Sequence, residues 1–260
     1  MNLKTMKLGI FCACAALIST AQAVYAETIR IASEGTFPPF EYLDSKTGKL
    51  EGFEVELALA MCKEAGFEPE VTMYKFDGIL PAVVTGAVDM AASGLAMTPE
   101  RAKKVLFVDP FYVSGITIIV PKGNPEGIKS FEDLKGKRIS VQIGSISYDR
   151  AKTIPDAQVT TFDNASDAML NMLGGNADAV INSAAATDYM LVIRPGLGKK
   201  VERLPVTEGK SKMAMIVGKD KPEIQKRLNA ALAAIKANGT YNKIHEKWFG
   251  KPADLKALEE

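Results

Sequence analysis

The chain has 260 residues, 47% of them hydrophobic, with 32 Lys and Arg against 31 Asp and Glu for a formal net charge of +1. So even a balance leaves no basic footprint for nucleic acid or for an anionic membrane surface. One histidine and three cysteines (Cys12, Cys14 and Cys62) exclude histidine-based triads and His/Cys metal clusters, so no metal and no cofactor is expected.

At the start of the chain, Lys4 and Lys7 precede an apolar run from Leu8 to Ile18, and the small residues Ala21, Ala23 and Ala26 follow. This pattern predicts a secretory signal peptide over residues 1–26, cut after Ala26, with Ala23 as the other candidate. The run falls short of the roughly 20 apolar residues that a membrane-spanning helix needs. Without these residues, 234 remain and the charge becomes −1, from 30 basic and 31 acidic side chains. Cys62 is then alone, so no internal disulfide can form even in an oxidising compartment. Stability has to come from packed cores, in one large domain or two lobes.

The alternation in "TIRIAS", residues 28–33, predicts a strand with Ile29 and Ile31 on one face, ending in the turn-rich "EGTFPPF". "GFEVELALAMCKEAG" places Phe53, Leu57, Ala60 and Met61 at helical spacing and stops at Gly66, with Cys62 a packing residue on that helix. Two loosely similar units follow. In "FDGILPAVVTGAVDMAASG" a helix capped by Asp77 carries Ile79, Leu80, Val83 and Val84, stops at Gly86 and leads to a strand through Val88 and Met90. In "FDNASDAMLNMLGGNADAVINS" Asn164 or Ser166 caps, Met169, Met172 and Leu173 face inward, Gly174 and Gly175 stop the helix, and Asp178 opens a strand over 179–181. This repeat predicts two α/β lobes of related design. Between the units lie a β-branched strand at 116–120 and another at 138–143, and after them "KMAMIVGKD" reads as a further strand. Pro222 opens a helix carrying Ile224, Leu228, Ala231, Leu232 and Ile235, stopped by Gly239, and a short helix with Ile244, His245 and Trp248 closes the chain. His245 stands among Lys243, Glu246 and Lys247 and reads as a surface residue.

Strands alternating with helices predict parallel-type sheets, and in such sheets ligands collect beyond the carboxyl ends of the strands. Those ends are Ser93 and Gly94 in the first lobe, and Gly144, Ser145, Asn182 and Ser183 in the second. "TPER" then offers a helix start at Pro99, with the amides of Glu100 and Arg101 expected to be free and the Arg101 guanidinium suited to a carboxylate.

With these motifs in order, and above all "ASEGTFPPFEYLDSKTGKLEGFEVELALAM", "FDGILPAVVTGAVDMAASGLAMTPERAKKVLFVDPFY" and "NGTYNKIHEKWFG", the chain resembles the bacterial family 3 solute-binding proteins across essentially its whole mature length. These are periplasmic receptors for polar amino acids that feed ABC importers. The resemblance implies a type II-like two-lobe α/β fold with two hinge strands, closing on its ligand like a clamp. Lobe one would comprise 27–114 plus 210–260 and lobe two 117–206, with hinges near 114–117 and 207–211. It implies that Arg101, Ser93 and Gly94 hold a ligand carboxylate, that Phe37 and Phe76 flank its side chain, and that Glu34 meets a basic group, as in the lysine/arginine/ornithine-binding branch. Ser145 and Ser183 would close from lobe two. The implied partners are an amino acid or amino-acid derivative and the membrane permease subunits, with the receptor itself a monomer.

The sequence also departs from the family's pattern. Ala96 and Ile146 stand where hydroxyl residues are usual, Ser183 stands where an aspartate usually meets the ligand ammonium, and Pro69 replaces a second cysteine opposite Cys62. Both a basic and a modified amino acid therefore stay open as ligand. Two other functions remain: a cyclohexadienyl dehydratase-like enzyme on the same fold, with Glu34 as proton donor, and a receptor that reports to a sensor instead of an importer.

Overall fold

The structure is a computed structural model and describes residues 26–258; the leader expected at 1–26 lies, apart from Ala26, outside the described residues. β1 (Glu27–Ser33) buries Ile29 and Ile31 as its alternation demands. The turn after it folds into a small antiparallel sheet of β2 (Thr36–Phe37), β3 (Glu41–Leu43) and β4 (Leu50–Glu51). α1 (Phe53–Ala65) ends on Gly66 at φ 74°, a left-handed conformation that glycine adopts without steric cost. β5 (Phe67–Met73) then pairs parallel with β1. α2 (Phe76–Val84) starts two residues earlier than expected. Lys75 is its N-cap, and Asp77 sits inside the first turn, where its charge complements the helix start. β6 (Met90–Ala91), the four-residue α3 (Pro99–Ala102) and β7 (Val105–Phe107) complete this part.

β8 (Tyr112–Pro121) carries the chain into the second lobe, which is built from β9 (Arg138–Gln142), α4 (Ile146–Lys152), β10 (Gln158–Phe162), α5 (Ala165–Leu173), β11 (Ala179–Ser183) and α6 (Ala184–Ile193). The 13-residue β12 (Val201–Met213) returns antiparallel to β8. Here "KMAMIVGKD" is not one strand. Met213 still pairs with Tyr112 of β8, whereas β13 (Ile216–Gly218) pairs with β6 and β7, so the segment is divided between two sheets. α7 (Pro222–Ala237) and α8 (Thr240–Phe249) then pack against α1.

The result is a two-lobe α/β fold. The strand orders are β5-β1-β6-β13-β7 and β10-β9-β11-β8-β12. Strands within each helix-strand unit are parallel, and the strands that cross between lobes or return from the crossing run antiparallel. Each sheet is covered on both faces. In the first lobe α1 and α7 cover Ile29, Met90 and Val217, while α2 covers Ala32, Ala91 and Ile216. In the second, Ile118, Ile139 and Ile181 face the core that includes Leu134 and Ala151, and Ile119 and Val180 face α5 and α6.

The internal repeat is structural as well as sequential. Asp89 takes the backbone N–H of Arg30 at 2.8 Å and also its guanidinium, which reaches on to the carbonyls of Gly86 and Ala87. Asp178 holds Arg138 the same way, with the backbone N–H at 2.8 Å and the guanidinium reaching Gly175. One clasp therefore ties the helix-stop glycine, the strand-opening aspartate and the neighbouring parallel strand in each lobe.

His245 corrects an expectation. It is 6% exposed, with its ring centroid 4.6 Å from that of Phe249 and 5.5 Å from that of Phe53, and Nδ1 2.7 Å from the Lys251 carbonyl. Its charged sequence neighbours lie on the other faces of α8, and the face shared with Tyr241 and Phe249 turns inward onto α1. Cys62 is fully buried among apolar residues, which pushes its thiol up to about 12.

Candidate functional site

Between the lobes lies a partly open cleft lined by both lobes and by the strands that join them. The first lobe contributes Phe37, Phe76, Gly94, Ala96 and Arg101 to its lining. Ser114, Gly115, Ile116, Ser211 and Met213 of the paired strands β8 and β12 contribute too, and Gln142, Ser145, Ile146, Ser147, Asn182 and Ser183 come from the second lobe.

Arg101 is placed by local sequence. Thr98 caps α3 by accepting the Arg101 N–H at 3.2 Å, and Pro99 occupies the first helical position, where a missing N–H costs nothing. Of the two amides expected to be free, that of Arg101 is thus used by the cap, and the guanidinium is what the site receives. It is 8% exposed, donating to the Ala96 carbonyl at 2.7 Å and, across the cleft, to the Gly144 carbonyl at 3.0 Å. Burial pulls its pKa below the usual arginine value. Of the cleft-lining residues Arg101 alone is ionisable. A guanidinium has five donors, so two carbonyls leave donors over for a planar anion.

Six of the eight residues singled out from sequence line this cleft: Arg101, Gly94, Phe37, Phe76, Ser145 and Ser183. Ser93 and Glu34 do not. The Ser93 hydroxyl, fully buried, donates to Glu41 Oε1 at 2.9 Å and accepts the Glu34 N–H at 3.0 Å. The Gly94 N–H is turned into the lobe, 2.6 Å from Glu54 Oε2, and a Cβ at Gly94 would lie 2.8 Å from the Phe37 ring. The corner expected to offer amides to a carboxylate therefore spends them on a buried acid, and what it gives the cleft is a floor without side chains under Phe37. Burial pushes Glu54 up to about 8, against the pull of the Ser93 and Gly94 N–H bonds. Glu41 stands well above the usual carboxylate range through burial and the proximity of Glu54.

Glu34 is 5% exposed and its Oε1 accepts from Thr36 at 2.6 Å and from Gln142 at 2.8 Å. It lines a neighbouring recess beside Lys75 and Asp163. Burial outweighs the two bonds and raises its pKa. The Gln142 contact joins the lobes, as do Arg101 to Gly144 and the Lys75–Asp163 pair at 2.7 Å. Gln142 escaped the sequence reading although it is the last residue of β9, where the strand-end rule that selected Ser145 would have found it.

The lobe-two serines are helix caps. Ser145 Oγ donates to the Gln142 carbonyl at 2.7 Å and accepts the Tyr148 N–H at 3.1 Å. Ser183 Oγ accepts the Ala186 N–H at 3.4 Å and lies 3.3 Å from Ser114 Oγ. Phe37 stacks on Phe40 with centroids 5.3 Å apart, so the core phenylalanine backs the cleft phenylalanine.

Residues 29–251 match the sequence profile of the "Bacterial extracellular solute-binding proteins, family 3". The ABC transporter arginine-binding protein 1 of Escherichia coli (strain K12) is 34% identical over 233 residues, covering 88% of this chain and 94% of that protein. A solved ancestral arginine-binding protein bound to arginine superposes with a TM-score of 0.80 at 40% identity, over 86% of this chain and 98% of that one. An ancestral amino acid-binding protein described as a precursor of cyclohexadienyl dehydratase superposes at 0.76 with 36% identity, over 85% and 95%. The fold is thus shared by binding proteins and by the precursor of an enzyme.

Proposed function

The chain belongs to the bacterial extracellular solute-binding proteins of family 3, and on that premise we propose that it is a periplasmic receptor that closes on an amino acid or amino-acid derivative and delivers it to the permease subunits of an ABC importer. The observation that carries this reading is Arg101, a buried guanidinium in the interlobe cleft that bonds only to carbonyl oxygens among the described residues. A carboxylate there gains a charge-assisted, two-pronged partner shielded from water. The arginine-binding relatives support an amino acid as the class of ligand.

The ligand docks on lobe one through Arg101 and between Phe37 and Phe76, and lobe two follows with Ser145 and Ser183. Lobe one spans 27–114 and 210–260, lobe two spans 117–206, and the chain pivots at 114–117 and 207–211. Closure is stabilised by contacts that the ligand makes only when both lobes meet it. The ligand is bound and released unchanged. Glu34, the carboxylate a dehydratase would use as proton donor, does not line the cleft and is engaged by Thr36 and Gln142.

Arg101→Ala is expected to weaken binding of any carboxylate ligand at least a hundredfold, measured by calorimetry. Unchanged affinity would overturn the site. Turnover of prephenate or arogenate would overturn the receptor reading.

A further inference from the structure

If the carboxylate grip proposed above is right, the charge inventory of the cleft narrows what can fill it. The lining holds one cation and no anion. The acids around it lie outside the lining, Asp77 beside Gly144 included. Glu34 accepts from Thr36 and Gln142, Asp163 pairs with Lys75, Asp188 pairs with Arg203 at 3.2 Å, and Asp149 acts on Arg101 from outside the lining. From the second lobe, Ser183 reaches the lining as the N-cap of the ten-residue α6, whose first amides carry positive partial charge. An α-ammonium enclosed here would meet a guanidinium, a helix start and neutral oxygens. Burying a cation without a carboxylate partner is unfavourable, and the positive surroundings add to the cost.

We propose that the ligand is an N-acyl amino acid, whose carboxylate pairs with Arg101 and whose nitrogen is carried as a neutral amide. An amide offers one donor and one acceptor, which the hydroxyls of Ser114 and Ser183 and the carboxamide of Asn182 can meet without any charge. Phe37, Phe76, Ile116, Ile146 and Met213 supply apolar walls for the acyl group and side chain. Ser183 is the specificity-determining position, because it stands where a carboxylate would admit the free amine.

The test is calorimetric titration of the full mature chain with matched pairs, each free amino acid against its N-acetyl form, with the corresponding 2-hydroxy acids as a third arm. N-acetyl forms are expected to bind at least tenfold tighter than their free partners and than the hydroxy acids. Ser183→Asp keeps a good helix cap and is expected to reverse the preference, free amino acids gaining at least tenfold and N-acetyl forms losing as much. Free amino acids binding as well as their N-acetyl forms overturns the proposal, as does a preference for hydroxy acids or an unmoved preference in Ser183→Asp. The carboxylate reading is separately exposed: if no arm binds, or if binding survives Arg101→Ala, the grip itself is wrong.

Discussion

Glu54 is fully buried, with Oε2 fixed by Gly94 and Oε1 without a hydrogen-bond partner, next to Glu41, whose Oε2 is also unpartnered. Two carboxylates enclosed together cannot both be ionised cheaply, so protons stay with the pair at pH values where exposed glutamates have lost theirs. The sign follows from proton counting. Glu54 holds its proton up to about 8 in the fold, against an ordinary value of 4.5, so between these values the folded state binds more protons and stability falls as pH rises. Thermal unfolding between pH 5 and 8.5 is expected to show this decline, and Glu54→Gln, which keeps an acceptor for Gly94, is expected to flatten it. A Glu54→Gln slope equal to that of the wild type would refute the assignment. Glu54→Ala, which strands a buried N–H, is expected to cost about 1–3 kcal/mol in denaturant unfolding at any pH.

The strands that join the lobes carry a deliberate irregularity. Glu208 pairs with Ile116 and Ser211 with Ser114, so Gly209 and Lys210 together oppose Gly115, with Gly209 at φ 67°. This is a bulge of the kind that bends and twists a ladder. A Cβ at Gly115 would lie 2.3 Å from the Gly209 carbonyl oxygen and 2.7 Å from that of Glu208, both backbone atoms with no rotamer to yield. Gly115→Ala is expected to destabilise the fold by about 1–3 kcal/mol and to weaken ligand affinity, read by denaturant titration and calorimetry; wild-type values for both would remove Gly115 from the pivot. Much at this scale was legible in the sequence. Period-two and helical spacings located β1, α1, α5 and α7, and the glycine-aspartate repeat announced the two lobes. The partners of that repeat, Arg30 and Arg138, were not legible, because each lies 40 or more residues from its aspartate and nothing local marks the pairing. Side-chain commitments were hidden in the same way. Arg101 follows from a local cap, but the diversion of Gly94 to Glu54 and of Glu34 to Gln142 depends on contacts 40 and 108 residues apart.

Across the whole molecule, the C-terminal helix is welded to lobe one and to the start of the crossing strand β8 by a cluster in which His245 contacts Phe53, Tyr112, Tyr241 and Phe249. Burial holds the His245 pKa below 6.5, so the fold binds fewer protons than the unfolded chain as pH falls through that value, and stability is lost on the acid side. His245→Phe is expected to lower stability at pH 7.5, where the Lys251 carbonyl loses its partner, but to reduce the further loss between pH 6.5 and 5; a difference curve with no pH dependence would show that the ring does not titrate there. The position of the cleft against the joining strands has a mechanical consequence. Ser114, Gly115, Ile116 and Ser211 belong both to β8 or β12 and to the lining, so on the proposed reading a ligand would sit at the fulcrum of closure, while the Lys75–Asp163 pair joins the lobes away from the joining strands. A ligand misfit the width of one methylene at that fulcrum would then be magnified farther out, which would make the Lys75–Asp163 contact a gauge of how well the cleft's contents fit.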